Sequence, residues 1–234
     1  MIEKKNIEIL IPTLNEEGNI QETINNLRLK GFDNITIIDD NSTDSTVEIT
    51  KKLGCNVLEN STKKRLGFGD SLIKAINLSK SKFCCIFDGD DSFDPSSLDT
   101  MIKKKNQNYD FVFCSRYKDN NISEDDTLIR KFGNHFFTRF VNILFRIKST
   151  DALFLYVLGK KEDFISLKLK AKDFGICIEI LLKCYINFNC AEVLSLERKR
   201  KFGESKVNVI FDGFKILMNI IYYYIKSFFN KKLI

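Results

Sequence analysis

The stretch Phe83-Cys84-Cys85-Ile86-Phe87-Asp88-Gly89-Asp90-Asp91 places an apolar run directly before a pair of carboxylates. The apolar residues predict a buried β-strand, and Asp88 and Asp90 then follow at its end. Hard divalent cations such as Mg²⁺ take oxygen ligands, often shared between one or two carboxylates and substrate phosphates. The stretch therefore predicts a cation site beside a nucleotide or diphosphate. By itself, so short a motif fits an acidic loop before the helix start at Asp94-Pro95 equally well.

Strands and helices alternate on both sides of this stretch. Strands are predicted at 7–11, 35–38, 55–58, 83–87 and 110–114, and helices at about 19–30, 45–54, 70–79 and after Asp94-Pro95. This alternation predicts an α/β fold whose mainly parallel sheet is flanked by helices on both faces. The first strand runs into Pro12 and lacks the Gly-x-Gly-x-x-Gly sequence of dinucleotide-binding folds.

Polar segments follow three of the predicted strands. They are Pro12-Thr13-Leu14-Asn15-Glu16, Asp39-Asp40-Asn41-Ser42 and Asp88-Gly89-Asp90. Ligands of such sheets bind at the carboxyl ends of the strands, so the three segments are expected to form one active site. Gly67-Phe68-Gly69, before another helix, fits either backbone N–H groups that approach a phosphate or a plain tight turn.

The pattern changes after about residue 115. A polar loop at 118–126 precedes a long amphipathic segment at 128–146, and a helix at 175–185, a strand at 190–196 and a basic loop at 198–206 follow. The tail at 207–229 mixes Ile, Phe and Tyr with sparse lysines and predicts an amphipathic helix. This helix either packs on the domain or a second subunit, or lies in a membrane interface with Tyr222–Tyr224 at headgroup depth. We favour the membrane interface, with Lys226, Lys231 and Lys232 facing anionic lipid.

Composition narrows the class of protein. With 234 residues, 44% of them hydrophobic and 29% charged, the chain fits one globular domain or a domain with an appendage. Seven cysteines without Cys-x-x-Cys spacing argue against disulfides and a zinc site and fit a reducing cytosol. No signal-peptide core precedes the first strand, and the longest late uncharged run, 216–225, is shorter than the about 20 residues that span a bilayer. The clustered net charge of +6 suits phosphorylated substrates or anionic lipid, and no nucleic-acid-binding motif is present.

Together and in this order, the motifs resemble the inverting family 2 glycosyltransferases of the GT-A (Rossmann-like) fold. The nearest likeness is to the branch that contains dolichyl-phosphate mannose synthase and bacterial polyprenyl-phosphate glycosyltransferases. The matching segments are 11–17, Asp39-Asp40-Asn41-Ser42-x-Asp44, 64–69, Asp88-Gly89-Asp90, Ser115-Arg116-Tyr117, Arg130, Asp151 and Arg200-Lys201-Phe202-Gly203-Glu204-Ser205-Lys206. The resemblance implies a GT-A domain over residues 1–206 and a C-terminal amphipathic helix over 207–234.

The resemblance also implies a reaction and a set of site residues. A hexose would move, with inversion, from a nucleotide diphosphate sugar of the GDP-mannose or UDP-glucose type to a polyprenyl phosphate. Asp88 and Asp90 would hold Mg²⁺ or Mn²⁺, with Ser92 as a weaker further contact, and Arg116 and Arg130 would face the acceptor phosphate. Asp151 is the best candidate for a general base if the acceptor is instead a neutral hydroxyl, as in surface polysaccharide synthesis. The residues expected to bind substrate are Pro12, Asn15, Glu16, Asp39, Asp40, Gly67, Asp88, Gly89, Arg200, Ser205 and Lys206.

Two positions depart from the pattern of the branch. Asn134 stands where a serine is expected, and 152–156 replaces a glycine-rich stretch. A sugar-nucleotide pyrophosphorylase would need a glycine-rich sequence with Arg and Lys at 12–17, which is missing. A non-catalytic nucleotide-binding scaffold would have no use for Asp88, Asp90, Arg200 and Lys206 together. We expect a cytoplasmic protein that binds peripherally to the inner face of the cytoplasmic membrane.

Overall fold

In the computed structural model, which describes residues 1–62, 64–121, 123–203 and 209–229, seven strands form one sheet. The strands are β1 (Ile7–Thr13), β2 (Ile35–Asp39), β3 (Asn56–Glu59), β4 (Phe83–Ile86), β5 (Phe111–Ser115), β6 (Val157–Lys160) and β7 (Cys190–Leu194). The helices are α1 (Ile20–Leu29), α2 (Thr46–Lys52), α3 (Phe68–Leu78), α4 (Ser97–Lys105), α5 (Leu128–Phe145), α6 (Lys161–Ser166), α7 (Ile176–Asn187) and α8 (Val209–Phe229).

The sheet is mainly parallel, as the alternation of elements predicts. Its strand order is β3-β2-β1-β4-β6-β5-β7, and β6 runs antiparallel to both of its neighbours, β4 and β5, while the remaining pairs are parallel. The short elements β6 and α6 were not predicted, because β6 has only four residues and follows directly on the apolar stretch 152–156.

The first strand continues through Pro12 instead of ending before it. Pro12 pairs with Ile38 of β2, whereas the ladder to β4 ends at the pair Leu10–Ile86. A proline is tolerated where one side of a strand has no ladder to break. This extension carries β1 up to Thr13, level with Asp39 of β2.

Two apolar clusters cover the two faces of the sheet. Successive side chains of a strand point to opposite faces, so Leu10 joins a cluster with α3, α5, α7 and α8, while Ile9 and Ile11 join one with α1 and α4. The helix α7 is buried from Ile176 to Cys184, including Glu179 and Lys183. All seven cysteines are free thiols.

The helix α8 packs on the domain through one face and leaves the other exposed. Ile216, Ile220 and Tyr223 are buried against α5 and α7. Tyr223 therefore does not lie at the surface, where the expected membrane-interface helix would place it. The exposed apolar residues of this helix are Phe211, Phe214, Met218, Ile221, Tyr222, Ile225 and Phe228. No helix in the described part of the chain has the length and apolar composition to cross a membrane. Lys231 and Lys232 lie outside the described residues.

Candidate active site

The loops that follow β1 and β2 interlock. The backbone N–H of Asn15 donates to Ser42 Oγ at 2.9 Å, and Asn15 Oδ1 accepts from the backbone N–H of Thr43 at 2.8 Å. The Glu17 carboxylate accepts from the backbone N–H of Ser45 at 2.9 Å. These bonds bring the first two predicted segments together at one edge of the sheet, as the parallel topology requires.

Asp39 and Asp40 bind donors of the protein itself. Asp39 accepts from the backbone N–H of Ser42 at 2.9 Å, and Asp40 accepts from the N–H groups of Leu66 and Gly67 at 2.7 and 2.9 Å. Asp40 therefore organises the turn before α3. The expectation that Asp39 and Asp40 bind substrate stays a prediction for both residues.

The glycines before α3 do not form an open phosphate cradle. Gly67 donates its N–H to Asp40, and Gly69 donates its N–H to the Lys172 carbonyl at 2.9 Å. A Cβ on Gly69 would lie 2.1 Å from the Ala171 carbonyl oxygen. The pair thus allows two backbone segments to touch, as a tight turn requires, and the expected contact of Gly67 with substrate stays a prediction.

The carboxylates after β4 lie at the site edge with Glu16. Asp88 Oδ1 accepts from the Gly89 N–H at 2.7 Å, and Asp90 Oδ1 accepts from the Ser92 N–H at 3.0 Å. Burial raises the pKa of Asp88 well above its usual value, and the nearby charges of Asp90 and Glu16 raise it further. The segment after β4 therefore lies near Glu16 of the segment after β1, which is itself hydrogen-bonded to the segment after β2.

The chemistry of this acid pair fits a divalent cation. A cation beside Asp88 and Asp90 would relieve the repulsion that raises the pKa of Asp88. The described residues contain no cluster of three or more His, Cys, Asp or Glu ligands. Asp88 and Asp90 would consequently share the ion with oxygens of a substrate, which is the usual arrangement for Mg²⁺.

A cavity of about 230 Å³ adjoins Asp88. One part of its wall is polar and consists of Asp88, Arg116, Asp125, Asp126, Arg130, Asn134, Glu197 and Arg200. The larger part is apolar and consists of Ile86, Phe87, Phe93, Phe68, Ile129, Phe137, Leu153, Phe154, Leu155, Phe174, Cys177 and Ile216, with the small residues Gly133 and Gly213. We refer to the polar residues of this wall as the charged end of the cavity and to the apolar ones, contributed largely by α5, α8 and the stretch 153–155, as its apolar chamber.

Arg116 lies in the cavity wall but is held by acids. Its Nε and Nη2 donate to the two Asp151 oxygens at 2.7 and 3.0 Å, and its Nη1 donates to Glu197 at 3.2 Å. Asn134, the departure from the expected serine, donates to the same Asp151 carboxylate at 2.8 Å. Burial raises the pKa of Glu197, and Arg116 opposes that rise. This geometry makes Asp151 a partner of Arg116 and does not favour it as a general base or Arg116 as the principal phosphate ligand.

Arg130 and Arg200 share one acid at the charged end of the cavity. Arg200 Nη2 lies 2.7 Å from Asp125 Oδ2 and 3.3 Å from Asp90 Oδ2, and Arg130 Nη1 lies 3.7 Å from Asp125 Oδ2. Arg130 is the more exposed of the two, with 30% of its side chain accessible. Ser205 and Lys206, which were expected to contact the donor, lie outside the described residues.

Asp125, Asp126 and Glu197 are site residues that the sequence analysis missed. Asp126 accepts a hydrogen bond from the Tyr117 hydroxyl and lies 3.9 Å from Arg116. The two aspartates precede Thr127, whose side chain caps α5. In the sequence, acids at such a place are explained by the start of a helix alone, so only their contacts reveal that they face the arginines.

Comparisons with known proteins identify the family of this chain. The family model described as glycosyl transferase family 2 matches residues 8–167. An uncharacterized protein of Methanocaldococcus jannaschii is 31% identical over 94% of this chain and 93% of its own length. The UDP-N-acetylglucosamine–dolichyl-phosphate N-acetylglucosaminyltransferase of Methanococcus voltae is 26% identical over 93% of this chain and 95% of its own length.

The fold also resembles a solved structure. Glucosyl-3-phosphoglycerate synthase from Mycobacterium tuberculosis, in complex with Mn²⁺, UDP-glucose and phosphoglyceric acid, superimposes with a TM-score of 0.73 at 15% identity. The match covers 94% of this chain and 80% of that one. At this identity the likeness concerns the fold alone. Since the family model spans most of the chain and the sheet has the matching topology, the protein belongs to glycosyl transferase family 2 and has the GT-A fold.

Proposed function

We propose that this glycosyltransferase moves a sugar from a nucleotide diphosphate sugar to the phosphate of a polyprenyl phosphate, with inversion at the anomeric carbon. One observation carries the proposal: Asp88, Arg130 and Arg200 line the same cavity as a larger set of apolar side chains. A ligand with a phosphate head and a long hydrocarbon tail matches both parts. The name of the Methanococcus voltae relative, which specifies a dolichyl phosphate acceptor, supports the same class of acceptor.

On the donor side, Asp88 and Asp90 would hold Mg²⁺ or Mn²⁺ against the diphosphate. When bound, the ion would supply Lewis-acid stabilisation of the leaving nucleoside diphosphate. Arg200 lies 3.3 Å from Asp90 and would meet the negative charge that grows on the leaving group. The Mn²⁺ and UDP-glucose in the structure of the similarly folded mycobacterial enzyme support a divalent ion and a nucleotide sugar as ligand classes.

On the acceptor side, Arg130 would orient the phosphate, because a guanidinium group suits phosphate geometry. A phosphate oxygen would form the new bond to the anomeric carbon as the bond to the nucleoside diphosphate breaks, and the leaving group would take the electron pair. The acceptor oxygen is already ionised, so this step requires no general base. The proposal therefore agrees with an Asp151 carboxylate that is committed to Arg116 and Asn134.

The hydroxyl-acceptor alternative has less support. It requires a base beside the reacting oxygen, and the Asp151 side chain is closed to solvent and paired at both oxygens. A non-catalytic scaffold would leave the cavity and its arginines without a use. Neither alternative explains why the charged end opens into an apolar chamber.

The proposal includes peripheral binding at the inner face of the cytoplasmic membrane. The helices α5 and α8 pack against each other, and each leaves apolar residues exposed on its outer face. These residues are Leu128, Phe132, Phe136 and Ile143 of α5 and the exposed apolar residues of α8 named above. We refer to these residues as the α5/α8 face. Both helices also line the cavity, so a lipid acceptor would have a short path from a bilayer at this face. We assign residues 1–206 to the catalytic domain and 207–234 to this interfacial element.

A transfer assay with paired acceptors tests the proposed function. The protein is incubated with Mn²⁺ and each of GDP-mannose, UDP-glucose and UDP-N-acetylglucosamine, and release of nucleoside diphosphate is followed. Polyprenyl phosphate is compared with the polyprenol of the same length, which has the tail but lacks the phosphate. We expect nucleoside diphosphate to be released with polyprenyl phosphate but not with polyprenol. After chelation of the metal ion by EDTA, we expect no release. Equal release with the alcohol, or full activity in EDTA, would contradict the acceptor or the metal assignment respectively.

A further inference from the structure

Arg200 lies between two carboxylates that belong to different parts of the site. Its Nη2 is 2.7 Å from Asp125 Oδ2 and 3.3 Å from Asp90 Oδ2, and its Nε is 3.1 Å from Asp125 Oδ2. The contact with Asp125 therefore uses two nitrogens and is the shorter of the two. Only 10% of the Asp125 side chain and 7% of the Asp90 side chain are accessible.

Both loops that carry this contact are fastened to the domain. The backbone N–H of Glu124, next to Asp125, donates to the Glu197 carbonyl at 3.0 Å. The backbone N–H of Arg198 donates to the Ser92 carbonyl at 2.8 Å. On the other side of Arg200, the Phe202 N–H donates to Asn19 Oδ1 at 3.2 Å. Asp125 and Arg200 thus face each other from anchored backbones.

A guanidinium group and a divalent cation compete for one carboxylate when both are near it. Asp90 is one of the two acids that would hold the ion, and Arg200 already touches it. A second acid that binds the guanidinium more tightly reduces this competition, because it draws the positive charge away from Asp90. Asp125 is placed to do so, with the shorter contact to the same Nη2.

We propose that Asp125 is a positioning residue that holds Arg200 beside Asp90 without allowing it to occupy the cation position. This inference rests on the proposed binding of a divalent ion by Asp88 and Asp90, and it assigns to Asp125 control over how tightly that ion binds. The same carboxylate lies 3.7 Å from Arg130 Nη1. It therefore also balances the charge of the arginine that would face the acceptor phosphate.

Binding of Mn²⁺ alone tests the inference without any turnover. The full chain is titrated with Mn²⁺ in the absence of nucleotide, and the signal of free Mn²⁺ is followed by electron paramagnetic resonance. Asp125→Asn keeps the shape of the side chain but removes its charge, so Arg200 is expected to shift onto Asp90 and weaken Mn²⁺ binding about fivefold. Asp125→Glu restores the charge and is expected to recover most of the affinity.

A double-mutant cycle separates this mechanism from a general charge effect. If Arg200 mediates the effect, Asp125→Asn changes Mn²⁺ affinity little once Arg200→Gln is present. Glu22→Gln is the matched control, because Glu22 pairs with Lys201 on the same loop, and in the described part of the chain it makes no hydrogen bond or ion pair to Arg200. It loses the same charge and is expected to leave Mn²⁺ affinity unchanged.

Each outcome bears on a distinct statement. Equal weakening by Asp125→Asn in both backgrounds, or no weakening in the wild-type background, would overturn the role of Asp125 and leave the proposed reaction intact. A wild-type protein that binds no Mn²⁺ in this titration would overturn this inference, whereas the metal assignment itself is overturned by full transfer activity in EDTA. If the double-mutant cycle gives the expected result but the protein transfers no sugar to polyprenyl phosphate, the inference is supported and only the proposed acceptor is contradicted.

Discussion

Asp151 holds Arg116 through two parallel hydrogen bonds, of 2.7 Å from Nε and 3.0 Å from Nη2, in a position closed to solvent. Paired bonds of this kind are among the strongest that an ionised side chain makes. They join the end of β5 to the segment before β6. Arg116 also packs its guanidinium 4.8 Å from the ring centre of Phe154 in the cavity wall. The pair therefore determines the shape of the cavity beside the charged end.

The first prediction concerns the stability that this pair supplies. Asp151→Asn leaves Arg116 buried with a weaker partner, and loss of one member of a buried pair costs about 3 kcal/mol of the free energy of unfolding. Urea denaturation measures the change. Glu59→Gln removes an exposed partner of Lys51 and is expected to cost less than about 1 kcal/mol. An Asp151→Asn protein of unchanged stability that has lost all transfer would instead indicate a catalytic base.

The second prediction concerns Arg130. Arg130→Ala is expected to lower kcat/KM for polyprenyl phosphate by about 100-fold, the size of effect seen when one charged donor is removed from an active site. Binding of Mn²⁺ with a nucleoside diphosphate, measured by calorimetry, should persist because Arg200 is unchanged. Arg139→Ala removes an exposed arginine from the same helix and is the control. Unchanged turnover in Arg130→Ala would refute the acceptor assignment.

The third prediction uses the glycine at the cavity wall of α5. A Cβ on Gly133 would meet no atom within 4 Å, so Gly133→Leu should extend into the cavity without a backbone clash. Glycine inside a helix is about 1 kcal/mol less favourable than a good helix former such as leucine. The melting temperature of the variant should therefore be no lower than that of the wild type. We expect it to lose transfer to polyprenyl phosphate but to keep donor binding. Gly133→Ala, which fills less space, should retain transfer; loss of activity in both variants to the same degree would argue against a lipid chamber.

The fourth prediction concerns the α5/α8 face. Deletion of the tail is a poor test, because Ile216, Ile220 and Tyr223 are part of the core. The double substitution Phe214→Ser with Met218→Ser changes exposed residues and should reduce sedimentation with anionic vesicles while the thermal melt stays the same. Leu29→Ser with Leu78→Ser removes two other exposed apolar residues and is the control. Equal sedimentation of both double variants would contradict membrane docking by this face.

The fifth prediction is a pH dependence of stability at the buried Glu179. Burial acts to raise the pKa of Glu179, but donors from Lys183, Tyr223 and the Ala171 and Lys170 backbone outweigh it and lower the pKa below 4.5. A carboxylate with a lowered folded pKa stabilises the protein above its unfolded value, and that contribution is lost as the pH falls through the folded value. Burial also lowers the pKa of Lys183, and Glu179 opposes that change. We therefore assign the loss of stability at acid pH to the carboxylate of Glu179.

Denaturation of wild type and Glu179→Gln at neutral pH and at acid pH tests this assignment. The variant should be the less stable protein at neutral pH, because it leaves Lys183, only 2.8 Å from Glu179 in the wild type, without a buried counter-charge. The difference should shrink as the pH falls below 4.5. A difference that stays constant across this range would show that Glu179 has no lowered pKa.

The element order could be predicted because it is encoded by short-range patterns. Apolar runs of four to seven residues give the strands β1, β2 and β4, and the expected boundaries lie within two residues of the observed ones. The residue before α1 shows what such local patterns leave out. Asn19 makes no capping bond to α1 and binds Glu16 and the Phe202 carbonyl instead, a partner 183 residues away in the chain.

The candidate site could be predicted only in part. The placement of Asp88 and Asp90 follows from the strand before them, since the end of a parallel strand must lie at the ligand-binding edge. The task of Asp40 and of the glycines at 67 and 69 could not be inferred, because it depends on which backbone groups approach them. The family match identifies the class of reaction, but it contains no information about these contacts.

The sequence by itself determined the alternation of strands and helices, the acid pair after β4 and the glycosyltransferase family, since each depends on residues close together in the chain. The tertiary structure alone decided which acid each arginine meets. Asp125 reaches Arg200 across 75 positions and Asp151 reaches Arg116 across 35. It also decided that apolar residues of α5 and α8 line the same cavity as those charges. Such contacts arise from the packing of whole helices and strands. The local periodicity of the sequence contains no information about that packing.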